Sequence, residues 1–273
     1  MTEVKFEIKK STGGSLHAIH YICSDSSYKN SDGKAPLVIL CHGFTGDKSE
    51  WGRFPQTALA FNKEGIDAIF FDFSGSGQNE RELITLSKQG KDLEEVYGWA
   101  ETQGYSWIAV LGLSFGGLTT LIAELPSVET YIFWAPGFYI SRLLSEGPIN
   151  IVSALKNLEN PPFKMPSSGR HPETGKKYKP IIIDKSFIES IESYEIDKLL
   201  ESLNKPTIVV QGTADVAVKP EHTREAFSHL PQDEHHKLVL VENATHDFKD
   251  AHLKEFIDVS IEWFKRYLLK VYL

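Results

Sequence analysis

Short apolar runs that alternate with longer amphipathic stretches constrain the fold more than any other feature of this sequence. Four runs are continuous and rich in β-branched residues, as strands covered on both faces are: "APLVILCHGF", "GIDAIFFDFSGSG", "SWIAVLGLS" and "SVETYIFWAP". Two more, "KPTIVVQGTAD" and "HKLVLVENATH", lie near the C-terminus. The amphipathic, helix-like stretches cover residues 51–63, 86–102, 115–123, 220–230 and 248–269. This order predicts an α/β fold with a mainly parallel sheet and helices on both faces.

Two segments depart from the alternation of strand and helix. Residues 4–10 and 16–22 alternate polar and apolar positions, which predicts an antiparallel hairpin at a sheet edge. Residues 137–205 form too long a gap between strands to be a simple crossover, and they contain turn signals at 167–169 and 174–175 and a helix-like stretch at 186–203. We therefore expect an α/β core in two parts, residues 1–136 and 206–273, with residues 137–205 inserted as a cap.

Charge and hydropathy exclude several classes of function. The net charge of −8 comes without clustered Lys and Arg, which argues against a nucleic-acid partner. No apolar run approaches the roughly 20 residues that span a bilayer, and the charged start "MTEVKFEIKK" has no secretory h-region. The two cysteines fit neither a disulfide framework nor a metal motif. We expect a cytoplasmic protein without a membrane partner.

The sequence "GLSFGG" places Ser114 where a strand-like run ends and a helix-like run begins. A nucleophile on such a sharp turn needs small neighbours, and Gly112 and Gly116 supply them. The start of the helix also directs free N–H groups towards developing negative charge. Ser114 is therefore the candidate nucleophile, with a purely structural turn as the alternative.

A serine nucleophile needs a general base and an acid that orients the base. Among the ten histidines, His246 follows the last strand-like run at the edge of the sheet where Ser114 is expected, and His252 is the weaker competitor. Asp215 ends another strand at that edge and is the preferred acid. Asp72 ends a strand too, but its glycine-rich surroundings predict a structural turn.

An acyl-transfer site also needs donors for the oxyanion. The backbone N–H of Phe115, directly after the serine, is one candidate. The backbone N–H of Phe44, in the loop "CHGFTGDKSEW", is the second. His42 in the same loop is expected to fix the loop by hydrogen bonding and not to act as the base.

Taken together, these residues resemble the α/β-hydrolase fold superfamily over nearly the whole chain. The landmarks occur in the expected order and are "HGF", "DFSGSG", "GLSFGG", "GTADVAVKP" and "ATH". Within the superfamily, "HGFTGDK" and the cap resemble the cinnamoyl and feruloyl esterases and the serine-aminopeptidase-like hydrolases. The resemblance implies an eight-stranded sheet, a triad of Ser114, Asp215 and His246, and oxyanion donors at Phe44 and Phe115.

The function expected from these roles is hydrolysis of a small carboxylic ester, short-chain acyl or hydroxycinnamoyl, through an acyl-enzyme and without a metal or organic cofactor. A serine aminopeptidase-like peptidase or a thioesterase would use the same triad, and an inactive binding module is the non-enzyme alternative. A dehalogenase is disfavoured because its nucleophile is an aspartate. The sequence leaves a homodimer open.

Aromatic residues near the start of the predicted cap are candidates for the substrate pocket. They are Trp134, Phe138 and Tyr139, at the end of a strand-like run. Packing in the hydrophobic core is the competing interpretation, because large aromatic side chains are commonly buried there.

Overall fold

A computed structural model describes residues 1–146, 150–157, 162–171 and 173–272 of the chain. Residues 147–149, 158–161 and 172 of the predicted cap, and residue 273, lie outside the described residues. Within the described ranges the chain forms ten strands, namely β1 (Thr2–Lys9), β2 (Ser15–Ile22), β3 (Leu37–Cys41), β4 (Asp67–Phe71), β5 (Ile108–Leu113), β6 (Val128–Trp134), β7 (Phe163–Met165), β8 (Ile181–Ile183), β9 (Thr207–Gly212) and β10 (His236–Val241).

Helices follow most of the strands, as the sequence predicts. Over the same residues there are nine α-helices, namely α1 (Arg53–Lys63), α2 (Leu86–Thr102), α3 (Phe115–Ile122), α4 (Ile140–Glu146), α5 (Ile151–Lys156), α6 (Lys185–Glu192), α7 (Ile196–Glu201), α8 (Pro220–His229) and α9 (Asp250–Tyr272). A 3₁₀ turn, Glu50–Gly52, precedes α1. In the part of the chain that the structure describes, no helix has the length and apolar character needed to cross a membrane.

Eight of the described strands form one sheet in the order β1-β2-β4-β3-β5-β6-β9-β10. The pairs β1–β2 and β2–β4 are antiparallel, and all pairs from β4 to β10 are parallel. The predicted fold class, a mainly parallel eight-stranded α/β sheet with an edge hairpin, is therefore confirmed. Because the parallel strands share one direction, the ends of β3, β5, β9 and β10 lie along one edge of the sheet, which is where open α/β sheets bind ligands.

The core lies on both faces of the sheet. Successive side chains of a strand point to opposite faces, so neighbouring residues of β6 enter different apolar clusters. Trp134 packs in the cluster beneath α1 and α9, whereas Phe133 packs in the cluster beneath α2 and α8. This two-sided burial explains why the central strands read as continuous apolar runs and not as alternating ones.

The described part of residues 137–205 forms a small layer over α3. Strands β7 and β8 pair antiparallel, and Arg170 and Lys177 form a bridge nearer the tip, so the predicted hairpin is present. The predicted single helix at 186–203 is instead two, α6 and α7. Phe187 of α6 packs in the apolar cluster that includes α3, whereas Leu200 of α7 packs in the cluster beneath α2 and α8. The chain bends between the two helices, so that each helix packs in its own cluster.

Candidate active site

The turn between β5 and α3 presents Ser114 in a strained conformation. Its φ of 54° and ψ of −118° are rare for a residue with a side chain, and such outliers cluster at functional sites. Neighbouring backbone makes the turn possible only with glycine: a Cβ at Gly112 would lie 2.6 Å from Gly116 O, and one at Gly116 would lie 2.3 Å from Cys41 O. Backbone bonds to Trp134 O and from Gly137 N–H hold the Ser114 peptide in place.

The predicted acid and the predicted base are in direct contact. Asp215 Oδ2 lies 2.8 Å from His246 Nδ1, with the carboxylate fully buried and the imidazole side chain 26% exposed. Asp215 Oδ1 accepts hydrogen bonds from the backbone N–H groups of Ala217 and Val218. The carboxylate is therefore fixed, and it orients the imidazole through Nδ1.

Ser114 and His246 lie on the same edge of the sheet, at the ends of β5 and β10. Among the described residues, no direct hydrogen bond joins the Ser114 hydroxyl to His246 Nε2. Catalytic hydrogen bonds are often long in free enzymes and shorten when substrate binds. The competing base, His252, lies in α9, and the contact with Asp215 belongs to His246.

Gln211 on β9 is a supporting residue that the sequence analysis did not single out. Its side-chain amide donates to Asp215 Oδ2 at 3.1 Å and to Val218 O at 3.1 Å, and its carbonyl accepts from the Thr223 hydroxyl at 2.7 Å. The side chain is fully buried. Gln211 thus fixes the loop that carries Asp215. Its position as a polar residue in the otherwise apolar strand β9 is the sequence signal that could have indicated this role.

The loop between β3 and α1, residues 42–52, carries the predicted donor at Phe44. Among the described residues the backbone N–H groups of Phe44 and Phe115 donate to no other protein group. The Phe115 N–H is also one of the unpaired amides at the start of α3. Both donors are therefore available to a ligand at this edge of the sheet.

His42 fixes the β3–α1 loop, as the sequence analysis expects. It is buried, its Nε2 accepts from Phe73 N–H at 3.1 Å, and its Nδ1 lies 2.9 Å from Gly43 O. Accepting at Nε2 requires the proton to sit on Nδ1, which then donates to the carbonyl. The ring therefore ties the loop to the end of β4.

A buried ion pair, which the sequence analysis missed, links the β3–α1 loop to the histidine loop. Glu50 Oε1 accepts from Gly43 N–H at 2.6 Å, and Glu50 Oε2 lies 2.6 Å from Arg53 Nη2. Arg53 Nη1 then donates to the carbonyls of His246 and Asp247 at 3.2 and 3.3 Å. One chain of contacts thus runs from the amide next to Phe44 to the backbone of the predicted base.

The side chains of both predicted oxyanion donors pack against one aromatic ring of the predicted cap. Ring centroids are 5.0 Å apart for Phe44 and Phe187, 5.6 Å for Phe115 and Phe187, and 5.5 Å for Phe44 and Phe115. Phe187 lies on α6 and is fully buried. The three phenylalanines join residues 137–205 to the edge of the sheet that carries Ser114.

The structure does not bring the three predicted pocket residues together. Trp134 is fully buried, and its indole N–H donates to Ser260 Oγ of α9. Phe138 packs against Phe133 in the cluster on the opposite face of the sheet. Tyr139 is partly exposed, and its hydroxyl donates to Asp197 at 2.7 Å. For Trp134 and Phe138 this placement agrees with the core-packing interpretation.

Asp72 and Cys41, which the sequence also brings into consideration, both lie in structural settings. Asp72 accepts from the backbone N–H groups of Lys48 and Gln78 and pairs with the buried Lys48 ammonium, so it holds a turn. Burial raises the pKa of the Cys41 thiol to about 12, which keeps it protonated and unreactive. Within the described ranges, no three His, Cys, Asp or Glu side chains are grouped so that they could hold a metal ion.

The sheet order, the strained Ser114 turn and the Asp215–His246 pair define an α/β-hydrolase. The sequence pattern of one particular family, described as serine aminopeptidase, S33, matches residues 33–249. The chain therefore belongs to the serine aminopeptidase S33 family. The predicted superfamily is confirmed.

The individual relatives match this chain either over a short segment or at low identity. An uncharacterized 31.7 kDa protein from the traX-finO intergenic region of Escherichia coli is 38% identical over 89 residues, which cover 31% of this chain and 30% of that protein. Lipase 1 of Psychrobacter immobilis is 23% identical over 232 residues, covering 77% of this chain and 70% of the lipase. The chain thus spans less than a third of the first relative and more than two thirds of the second.

A solved structure shares the fold over nearly its whole length. Est1E from Butyrivibrio proteoclasticus, determined with bound ferulic acid, superposes with a TM-score of 0.76 at 22% identity. The match covers 97% of this chain and 99% of Est1E. At this level of identity the likeness concerns the fold.

Proposed function

We propose that the chain is a serine carboxylesterase in which Ser114, His246 and Asp215 form a catalytic triad. The observation that carries the proposal is the 2.8 Å contact between His246 Nδ1 and the buried Asp215 carboxylate, at the edge where Ser114 occupies its strained turn. An acid bound to Nδ1 leaves Nε2 to take the proton of a serine hydroxyl. Membership of a serine-peptidase family supports the same choice of nucleophile.

The reaction begins when Ser114 Oγ attacks the ester carbonyl carbon and His246 Nε2 takes the hydroxyl proton. Asp215 stabilises the imidazolium that forms. The bond to the alcohol oxygen then breaks, the imidazolium donates its proton to that oxygen, and an acyl-enzyme remains. A water molecule deprotonated by His246 attacks the acyl carbon, and the carboxylic acid leaves with Ser114 restored.

The backbone N–H groups of Phe44 and Phe115 stabilise the oxyanion in both tetrahedral intermediates. Preorganised donors of this kind reduce the barrier because they need no reorientation as the charge develops. Among the described residues neither N–H donates to another protein group, which supports the proposed role as oxyanion donors.

Residues 137–205 act in this proposal as the cap over the substrate. Phe44 is partly exposed and packs against the buried rings of Phe115 and Phe187, and this apolar group beside the proposed oxyanion site supports a substrate whose acyl part is apolar or aromatic. The ferulic acid bound by Est1E makes hydroxycinnamoyl esters the aromatic class to test first. Trp134 is excluded from the proposed pocket because it is enclosed by the core.

A peptidase with the same triad would need an anionic group for the substrate amine. The candidates in the sequence are Glu189, Glu192 and Glu195, and all three are exposed and lie within 3.7 Å of a lysine ammonium. Their charge is already balanced by Lys185, Lys156 and Lys198. This setting is that of a solvated helix face, so the three residues give no specific support to an aminoacyl substrate.

The test has two parts. A fluorophosphonate probe should label the wild-type protein and fail to label Ser114→Ala, while circular dichroism shows that the variant is folded. Rates are then compared for p-nitrophenyl esters of increasing acyl length, methyl ferulate and aminoacyl p-nitroanilides. Retained labelling in Ser114→Ala, or faster cleavage of the anilides than of every ester, would contradict the proposal.

A further inference from the structure

A short piece of the cap region rests directly on the β3–α1 loop. We call residues 167–169, that is Ser167, Ser168 and Gly169, the cap loop. The Ser168 N–H, the Ser168 hydroxyl and the Ser167 hydroxyl all donate to Thr45 O, at 3.0, 3.0 and 3.1 Å. The Thr45 hydroxyl donates in turn to Ser168 Oγ at 3.0 Å. Three donors on one carbonyl are more than a carbonyl usually receives.

The contacted residue is next to the proposed oxyanion donor. Thr45 directly follows Phe44 and has a φ of 63°, in the left-handed region that a β-branched residue rarely adopts. Such a conformation persists only where surrounding contacts determine it. The hydrogen bonds from the cap loop supply those contacts to the Thr45 peptide.

The far end of the β3–α1 loop is held by the same cap residues. The Trp51 indole N–H donates to Ser168 O at 3.1 Å, and Trp51 itself has a φ of 52°. Glu50, whose carboxylate accepts from Gly43 N–H, has a φ of 44°. The cap loop therefore bridges the two strained ends of a loop that carries an oxyanion donor.

Close packing fixes the distance between the two loops. A Cβ at Gly169 would lie 2.1 Å from Asp47 Oδ2, so only glycine allows this approach. Asp47 is 1% exposed, and its other carboxylate oxygen accepts from Ser49 N–H at 2.7 Å. The aspartate cannot move aside without losing that bond.

We propose that the cap loop positions the Phe44 N–H, so that the cap region completes the oxyanion hole as well as covering the substrate. The inference rests on the proposed esterase function. Ser167 and Ser168 are positioning residues in it, because they act on the Thr45 peptide and not on the substrate. The oxyanion hole is then formed only while the cap loop is seated.

The experiment compares Ser167→Ala/Ser168→Ala with Ser190→Ala. The Ser190 hydroxyl accepts from Leu86 N–H at 3.0 Å and donates to Phe187 O within α6 at 2.8 Å, so its removal loosens another attachment of the cap region and removes no hydrogen bond to the β3–α1 loop. For p-nitrophenyl butyrate we expect the double variant to lose roughly 10- to 100-fold in kcat, somewhat less than complete removal of an oxyanion donor costs. KM should change little, because the interaction acts in the transition state. Ser190→Ala should keep the wild-type kcat.

Two further readouts separate positioning from a general loss of structure. The inhibition constant of an aryl trifluoromethyl ketone, whose serine adduct carries an oxyanion, should rise by the same factor as kcat falls. Hydrogen exchange of the amides of residues 44–50 should accelerate in the double variant and not in Ser190→Ala. Gly169→Ala, made as a second variant, should give the same pattern.

The outcomes separate this inference from the proposed function. If the wild-type protein hydrolyses no ester and is not labelled by the fluorophosphonate, both fail. If the wild-type protein is active and the double variant matches Ser190→Ala in kcat and in inhibition, the positioning role alone is wrong. A rise in KM with unchanged kcat would also overturn it, since the cap loop would then serve substrate binding.

Discussion

Replacing Arg53 by Met is expected to destabilise the protein severely, because the variant leaves a buried carboxylate without its partner. The Arg53 and Glu50 side chains are 7% and 2% exposed, and their charged atoms are 2.6 Å apart. Removing one partner of a buried ion pair costs about 3–5 kcal/mol. Losing the two hydrogen bonds to His246 O and Asp247 O adds about 2 kcal/mol, so we expect roughly 5–7 kcal/mol in total. That loss is a large part of the stability of a typical domain.

An exposed pair of the same chemistry provides the control. Arg142 contacts both carboxylate oxygens of Glu225, with the side chains 41% and 44% exposed. Arg142→Met should cost at most about 1 kcal/mol, because solvent screens both charges. The double variant Glu50→Gln/Arg53→Met tests the cause: it contains no unpaired buried charge, and the carbonyl oxygen of the introduced amide can still accept from Gly43 N–H. It should recover part of the stability that Arg53→Met loses.

The measurement is equilibrium denaturation by urea at pH 7, followed by tryptophan fluorescence and circular dichroism. A loss below about 1 kcal/mol for Arg53→Met would put the pair in the range of exposed ion pairs and refute the reasoning. A double variant as unstable as the single one would also refute it, since the unpaired charge would then not be the cause.

Three shorter predictions concern the site, the core and the response to pH. Asp215→Asn should lower kcat on the order of 10⁴-fold in esterase assays, because the imidazole loses its orienting carboxylate. Trp134→Ala should lower the free energy of unfolding, measured by urea denaturation, by about 3–5 kcal/mol and leave KM unchanged, as expected of a core residue. A changed KM would instead indicate that Trp134 lines the substrate pocket. Burial lowers the pKa of His20 to about 4, so the unfolded chain takes up the proton first as pH falls. Wild-type stability relative to His20→Phe should therefore drop by about 3 kcal/mol between pH 7 and pH 4, and equal profiles would contradict this.

Features with a local signature were predictable from the sequence. The central strands are continuous apolar runs because both faces of the sheet are covered. Asp215 and His246 each lie within a few residues of the end of a strand-like run. Since the ends of parallel strands share one edge, their contact followed from topology alone. Ser114 was recognisable because its turn requires glycines at fixed spacings.

Features produced by contacts between distant segments were not predictable. Glu50 and Arg53 are charged residues in a polar segment, which the sequence alone would place in solvent. Their burial depends on the loop that carries His246, nearly 200 residues later. Trp134 and Tyr139 look like one aromatic group in the sequence, yet the strand sends Trp134 into the core while Tyr139 reaches Asp197 at the surface. The bend between α6 and α7 has no glycine or proline to announce it and follows from the two clusters that the helices enter.

The β3–α1 loop is held at two points because its backbone is strained. Thr45, Glu50 and Trp51 are three of the seven non-glycine residues with positive φ in the described part of the chain, and each costs about 1–3 kcal/mol. Hydrogen bonds contribute about 1 kcal/mol each, so it takes several contacts to hold a loop with this much strain. The pair holds the loop at Gly43 and the cap loop holds it at Thr45, on either side of the Phe44 amide. In the proposed esterase, a donor fixed on both sides would keep its direction while substrate enters and product leaves, which is what electrostatic preorganisation requires.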